Sequence, residues 1–268
     1  MIKTCLRYPG GKTRLVKRIL EITPNKINEF REPFVGGGSV FVGLIQQKQV
    51  QSCLINDIYT PLYNFWKLAL QEENSFMINE IKRIKENYPR GKDIFEKMRK
   101  KISQDSFWQS VSFFILNRIT FSGTIEAGGY SEQSFKGRFT DSSIKRLNQI
   151  KNLKKHCKID VTNEDYEKII KKPGKDVFIF LDPPYYSAKK SKLYGKKGEN
   201  HVNFDFERLS KTLKNTKHKW LMTIDNSDYI KNLFSFANMK EFDLQYGMGN
   251  SKGQSKKGKE LFISNYEI

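Results

Sequence analysis

What most constrains this chain is the order in which its strand-like and helix-like segments follow one another. EFREPFV (29–35) reads as a strand running into glycines, SVFVGLIQQ (39–47) as the helix after it, and VQSCLIND (50–57) as a second strand ending on Asp57. A short helix at 13–22 precedes them. Further along, strands at 156–161, 176–181, 219–225 and 240–246 alternate with helices at 141–153, 163–170, 204–215 and 227–234, and ELFISNY supplies a last strand. Such alternation predicts an α/β doubly wound sheet. Residues 61–140 break the rhythm. Four helical stretches (61–70, 74–87, 93–103, 106–117) lead into a polar, Gly-rich segment, 120–140, without clean periodicity. This block reads as an insertion between 1–60 and 141–268. Two basic, apolar-poor segments, 187–203 and 247–259, read as loops, the first of them mobile.

The chain has 268 residues, of which 38% are hydrophobic, enough for one large domain and its core. Its longest apolar runs, VSFFIL (111–116) and VFIFL (177–181), are far too short to cross a bilayer. Arg7, Lys12 and Arg14 interrupt the N-terminus before any signal-like stretch, so a soluble, cytoplasmic protein is expected. Forty-eight basic residues against 29 acidic ones give +19, spread along the chain, which suits a polyanion such as nucleic acid. A lysine-rich genome would produce the same excess. Cys5, Cys53 and Cys157 form no CxxC pair, and His156, His201 and His218 share no ligand spacing. Chemistry without metal or thiol is expected.

Three motifs carry chemistry. PFVGGGS (33–39) ends a strand in three glycines that let backbone approach a ligand, and Asp57 lies 19 residues past Gly38, where a carboxylate can accept ribose hydroxyls. GGG is not GxGxxG, so a nucleoside without phosphates suits this loop better than a dinucleotide. RYPGGKTRL (7–15) lacks P-loop spacing and by itself reads as a turn with a solvated lysine. LDPPYY (181–186) is the sharpest feature. Asp182 falls at the end of an apolar strand, the two prolines remove amide donors, and Tyr185 offers an aromatic face. Acceptors beside a stacking platform suit a planar base bearing an amino group.

RYPGGK, EPFVGGGSVF, the acid in LINDIYTPLYNFW, NRITFSG, LDPPY and GNSKGQSKKGKELFISNY occur in an order that resembles Dam-type DNA adenine methyltransferases, the α-group or D12 class, over nearly the whole chain. The resemblance implies a Rossmann-like class I S-adenosylmethionine-dependent methyltransferase sheet, with 61–140 as a mainly helical target-recognition domain. It implies a cofactor site of Tyr8, Gly11, Lys12, Glu32, Phe34, Gly36, Gly37, Gly38, Asp57, Asp160, Val161 and Asp182. Lys12 would reach the methionine part, Asp57 the ribose, and Asp160 with Val161 the adenine ring. Asp182, Pro183, Pro184 and Tyr185 would form the catalytic motif, and Asn117, Arg118, Ser122 and Arg138 would touch DNA, a buried salt bridge to the core being a nearly equal reading of Arg118. Two positions depart from the family pattern. Tyr8 stands for a tryptophan, and Val161 for a larger aromatic.

The same resemblance implies methyl transfer to the exocyclic amine of an adenine flipped from double-stranded DNA, with S-adenosylhomocysteine as product and no metal. It also implies nucleoid association, no membrane partner, and a cognate restriction endonuclease as one partner to look for. Rival readings stay open at this point. They are a silent DNA-binding relative, an amino-methyltransferase acting on cytosine, RNA or a protein amide, and, with the least support, a nicotinamide oxidoreductase. Basic residues of 189–197 and 252–259 would make nonspecific phosphate contacts, the 187–203 loop ordering on DNA.

Overall fold

The computed structural model describes residues 2–8, 10–125, 128–186, 204–249 and 255–268, without the side chains of 244–257. Seven strands form one sheet: β1 (Glu29–Glu32), β2 (Ser52–Asn56), β3 (Lys158–Thr162), β4 (Val177–Leu181), β5 (Lys219–Asp225), β6 (Asn238–Gly249) and β7 (Ser255–Ser264). Their spatial order is β3-β2-β1-β4-β5-β7-β6. Neighbours from β3 to β5 pair in parallel, and β7 runs antiparallel to both β5 and β6. Because β1 has β2 on one side and β4 on the other, the crossovers diverge between β1 and β4. That reversal opens a crevice at the carboxyl ends of these strands, where open α/β sheets bind ligands.

Helices cover both faces, which is why β4 can be five apolar residues in a row. Its Phe178 and Phe180 enter one core, and Val177, Ile179 and Leu181 enter the other. The helices are α1 (Val16–Glu21), α2 (Ser39–Gln47), α3 (Thr60–Ala69), α4 (Asn74–Asn87), α5 (Gly91–Lys101), α6 (Ser106–Ile119), α7 (Glu132–Arg138), α8 (Asp141–Gln149), α9 (Tyr166–Lys171), α10 (Phe206–Asn215) and α11 (Asp228–Leu233). Asp105, Ser131, Thr140, Asp165, Asp205 and Ser227 cap six of them by accepting a first-turn amide. The inserted block does not enclose a core of its own. Phe65, Trp66, Phe113 and Phe114 from α3 and α6 join Phe30 and Phe178 of the sheet in one cluster.

The structure adjusts three sequence expectations. The first strand stops at Glu32, because Pro33 has no N–H to continue a ladder. The segment 120–140 holds a helix, α7, too short at seven residues to show a period, although its cap Ser131 was readable. Much of 247–259 is strand, since β6 and β7 pair as a hairpin from Asn238↔Ser264 out to Gly249↔Ser255. Cross-strand pairing there outweighs a polar, Gly-rich composition. The 187–203 loop lies outside the described residues, as do the basic residues of 189–197 and Lys252; the side chains of Lys256 and Lys257 are likewise not described.

Candidate cofactor and base site

The glycine loop after β1 is shaped by contacts that leave no room for side chains. Gly36 (φ +45°) and Gly38 (φ +66°) take the left-handed conformation that glycine tolerates. A Cβ on Gly36 would sit 2.9 Å from the Tyr8 ring, and one on Gly37 would sit 2.7 Å from the Tyr8 Cβ. Tyr8 therefore lies directly on the loop. The Gly36 N–H donates to Asp57 Oδ2 at 3.1 Å, and Trp66 Nε1 donates to the Gly36 carbonyl at 3.0 Å. Tyr59 N–H donates to the other Asp57 oxygen at 3.0 Å. Burial pushes the Asp57 carboxyl up to about 6, while these two amides oppose the shift.

Glu32, at the end of β1, is buried and accepts the Phe41 N–H of α2 at 2.9 Å. Desolvation first, and then Asp182 and Asp57 nearby, hold it well above the usual carboxylate range. It supports the floor from beneath. Gly11 closes the turn ahead of Lys12, its N–H donating to the Tyr8 carbonyl at 2.9 Å.

At the end of β4, Asp182 meets two side chains, Lys12 and Thr223. Lys12, itself buried, places Nζ 2.8 Å from Oδ1 and 2.9 Å from Oδ2, and donates to the Gly10 carbonyl at 2.7 Å. Thr223 Oγ1 of β5 donates to Asp182 Oδ1 at 3.0 Å. The same lysine lies 5.0 Å from the centroid of the Tyr185 ring. Tyr185 in turn donates its hydroxyl to Glu260 Oε2 at 2.8 Å, and the Tyr186 amide donates to Asp225 Oδ1 at 2.7 Å. Lys12, expected at the methionine part of the cofactor, is thus the partner of Asp182 here.

Phe34 goes elsewhere. It packs on Tyr166 with centroids 5.3 Å apart and on Phe204 at 5.8 Å. The Tyr166 hydroxyl is buried without a hydrogen-bond partner among the described residues. Asp160 is exposed and ion-paired with Lys158 at 3.3 Å, and among the described residues no hydrogen bond or ion pair joins it to the glycine loop or Asp57. Val161, its neighbour in β3, packs against the core.

The expected DNA-binding residues lie around the end of α6. Asn117 is fully buried and spends its amide on Arg7, accepting its N–H at 2.9 Å and donating to its carbonyl, and on the Gly123 carbonyl at 3.1 Å. The side chain expected to touch DNA instead fastens the segment leading to Tyr8. Arg118 is also buried, donating to the Cys5 carbonyl, with Nε unpartnered. Desolvation lowers its pKa to about 10, with Arg146, Arg7 and Arg138 adding repulsion. Among the described residues none of these four arginines has a carboxylate within salt-bridge reach. Ser122 sits in the left-handed region (φ 55°) of a turn that leaves the Phe121 ring 66% exposed.

Arg7 and Arg146 were missed in the sequence, as were Thr223, Glu260 and Tyr166. Arg7 opens the RYPGGK motif, and Thr223 lies near the end of a strand that pairs in parallel with β4, both legible signals. Glu260 gave none, because only cross-sheet pairing brings it to Tyr185. Among the described residues no cluster of three or more His, Cys, Asp or Glu is arranged to hold a metal, and no helix is long and apolar enough to cross a membrane.

Comparison with known proteins adds a family. A family model described as D12 class N6 adenine-specific DNA methyltransferase matches residues 8–248. The chain is 27% identical to the type II methyltransferase M.MjaIII of Methanocaldococcus jannaschii over 99% of both chains. It is 23% identical to the type II methyltransferase M1.LlaDCHI of Lactococcus lactis subsp. cremoris, covering 97% of this chain and 94% of that one. It is 30% identical to a DNA adenine methylase of Vibrio cholerae over 67% of this chain and 64% of the relative.

Proposed function

Because the chain belongs to the D12 class of N6 adenine-specific DNA methyltransferases, we propose that the convergence of Lys12, Asp182, Thr223 and Tyr185 at the end of β4 is its methyl-transfer centre. The activity itself is S-adenosylmethionine-dependent methylation of adenine N6 in DNA.

The cofactor fits the glycine loop on two observations. Tyr8 and the backbone of Gly36 to Gly38 form a closed floor, which any Cβ would disrupt. The buried Tyr166 hydroxyl lacks a hydrogen-bond partner among the described residues beside Phe34, as a site for a polar heterocycle would leave it. Asp57 accepts ribose hydroxyls, Phe34 and Tyr166 flank the adenine ring, and Lys12 faces the methionine end, with Glu32 bracing the loop. Asp160 and Val161 remain candidates at the outer side of that ring. When bound, the cofactor supplies an electrophilic methyl group and departs as S-adenosylhomocysteine, no metal being required.

The protein's own contribution is orientation. The lone pair of an adenine amine is delocalised into the ring and attacks poorly. The Asp182 carboxylate and the Pro183 carbonyl accept its two N–H bonds, so the nitrogen pyramidalises with its lone pair free for in-line attack. As nitrogen gains its fourth bond it becomes positive, and Asp182 stabilises that charge before the proton passes to it and on to water. Pro184 holds the backbone of the motif rigid. Lys12 holds Asp182 in place and must share its oxygens with the incoming amine.

The adenine is flipped from duplex DNA, and Tyr185 supplies the replacement stacking surface. Arg138, Arg7 and Arg146, without acidic partners among the described residues, meet phosphate or guanine, Ser122 presents the turn between them, and the buried Arg118 adds its charge to the same field without a direct contact. Residues 61–140 act as the target-recognition part, inserted between the catalytic segments 1–60 and 141–268. Relatives named type II methyltransferases support a cognate restriction endonuclease as partner, and a DNA substrate suits a cytoplasmic, nucleoid-bound enzyme. Asp182→Ala tests the assignment. Label transfer from S-adenosylmethionine to DNA is expected to fall by about 10³-fold or more, with cofactor affinity retained. Undiminished turnover would overturn it.

A further inference from the structure

The site assigned above contains an acid that its mechanism has not used. Glu260 lies on β7, the antiparallel strand, and is 1% exposed. Its register partner across the ladder is Asp225 at the end of β5, 7% exposed. Directly opposed residues of an antiparallel pair share a face of the sheet, and like charges there repel. Two buried carboxylates in that arrangement are destabilising unless each is given donors. Among the described residues, a donor to each comes from the same four-residue motif and its successor. The Tyr185 hydroxyl donates to Glu260 at 2.8 Å, and the Tyr186 amide donates to Asp225 at 2.7 Å.

We infer that Glu260 is a positioning residue for methyl transfer, acting through the Tyr185 hydroxyl to fix the plane on which the flipped adenine stacks. This role rests on the assignment of Asp182 to Tyr185 as the transfer centre, and its physical basis is the freedom of the tyrosine ring. A tyrosine half-exposed at the mouth of a crevice can rotate about two side-chain bonds. Stacking a base on it aligns the amine with Asp182 only if the ring plane is fixed beforehand. A charge-assisted bond from the far end of the ring to a buried carboxylate supplies that restraint. Asp182 is fixed from the opposite side by Lys12 and Thr223. The acceptor and the stacking face are thus anchored to different elements, β5 with the N-terminal turn for one and β7 for the other. Their mutual geometry then depends on the β5–β7 pairing, and Glu260 is where β7 enters the site.

The test uses the full chain, unmethylated genomic DNA and labelled S-adenosylmethionine. Tyr185→Phe and Glu260→Leu are each expected to lower kcat roughly 10- to 100-fold, leaving KM for the cofactor within about twofold. The double variant should fall no further than the worse single one, as expected for two residues acting through one bond. Glu260→Gln, which keeps a carbonyl acceptor, should recover most of the loss. Losses that multiply in the double variant would overturn the inference, as would a Glu260→Leu enzyme with a lowered melting temperature and normal kcat. If the leucine variant does not fold, an unchanged kcat in Tyr185→Phe overturns it alone. Asp182→Ala in the same assay separates the two levels. Turnover retained there removes the catalytic reading, whereas an inactive Asp182→Ala alongside independent Glu260 and Tyr185 removes only the role of Glu260.

Discussion

Asp57 shows how one residue links burial to ligand affinity. Its carboxyl is pushed up to about 6 in the fold from an ordinary value of 3.8. A carboxyl raised in this way binds its proton more tightly when folded, so its contribution to stability is fully present below 3.8 and is lost as pH rises through about 6. The proposed ribose contact has the opposite preference, because an ionised carboxylate accepts hydroxyls better. Cofactor affinity, measured by calorimetry, is therefore expected to weaken as pH falls through about 6, and Asp57→Asn should flatten that profile. Gly36 makes a second residue-level case. Gly36→Ala combines a positive φ with a Cβ 2.9 Å from Tyr8. It should destabilise the fold by about 1–2 kcal/mol and weaken cofactor binding, read from melting curves with and without ligand.

Among the elements, α6 does the most to join the two halves of the site. Capped by Asp105, which accepts the Trp108 amide at 2.9 Å, it is buried from Ser110 to Ile119. Its last turn delivers Asn117, which grips the backbone of Arg7 just before Tyr8. Asn117→Ala would leave buried Arg7 and Gly123 polar groups unpaired, costing about 2–3 kcal/mol and weakening DNA affinity without any lost direct contact. A melting temperature and DNA dissociation constant that both stay put would contradict this. Elements such as α6 were legible in the sequence because their apolar pattern and caps agree, and α2 and β5 match the sequence boundaries. The carboxyl-edge placement of Asp57 and Asp182 followed from strand ends alone. What stayed hidden depends on tertiary proximity. Asn117 looked like a DNA contact because spacing cannot tell a buried amide from an exposed one. Glu260 needed the β5–β7 register to become visible, and α7 was too short for periodicity to show.

For the whole molecule, the +19 charge and the proposed DNA contacts of arginines that lack acidic partners among the described residues govern the expected salt dependence of binding. Affinity should fall steeply with salt, the logarithmic slope being about −0.9 per phosphate neutralised. Arg138→Ala should reduce that slope by about 1 and weaken binding evenly across sequences if this guanidinium holds phosphate. A changed methylation motif at constant slope would instead mean that Arg138 reads a base. The sheet order brings both binding events to one edge, the glycine loop after β1 beside the motif after β4. Everything proposed for the centre presumes that the amine held by Asp182 is that of adenine. Nucleoside mass spectrometry of unmethylated DNA, after incubation with the intact chain and labelled S-adenosylmethionine, tests this most directly. The proposed mechanism requires that the label appear in N6-methyladenine and disappear with Asp182→Ala. Label in methylcytosine, or label in N6-methyladenine that persists in the variant, would contradict it.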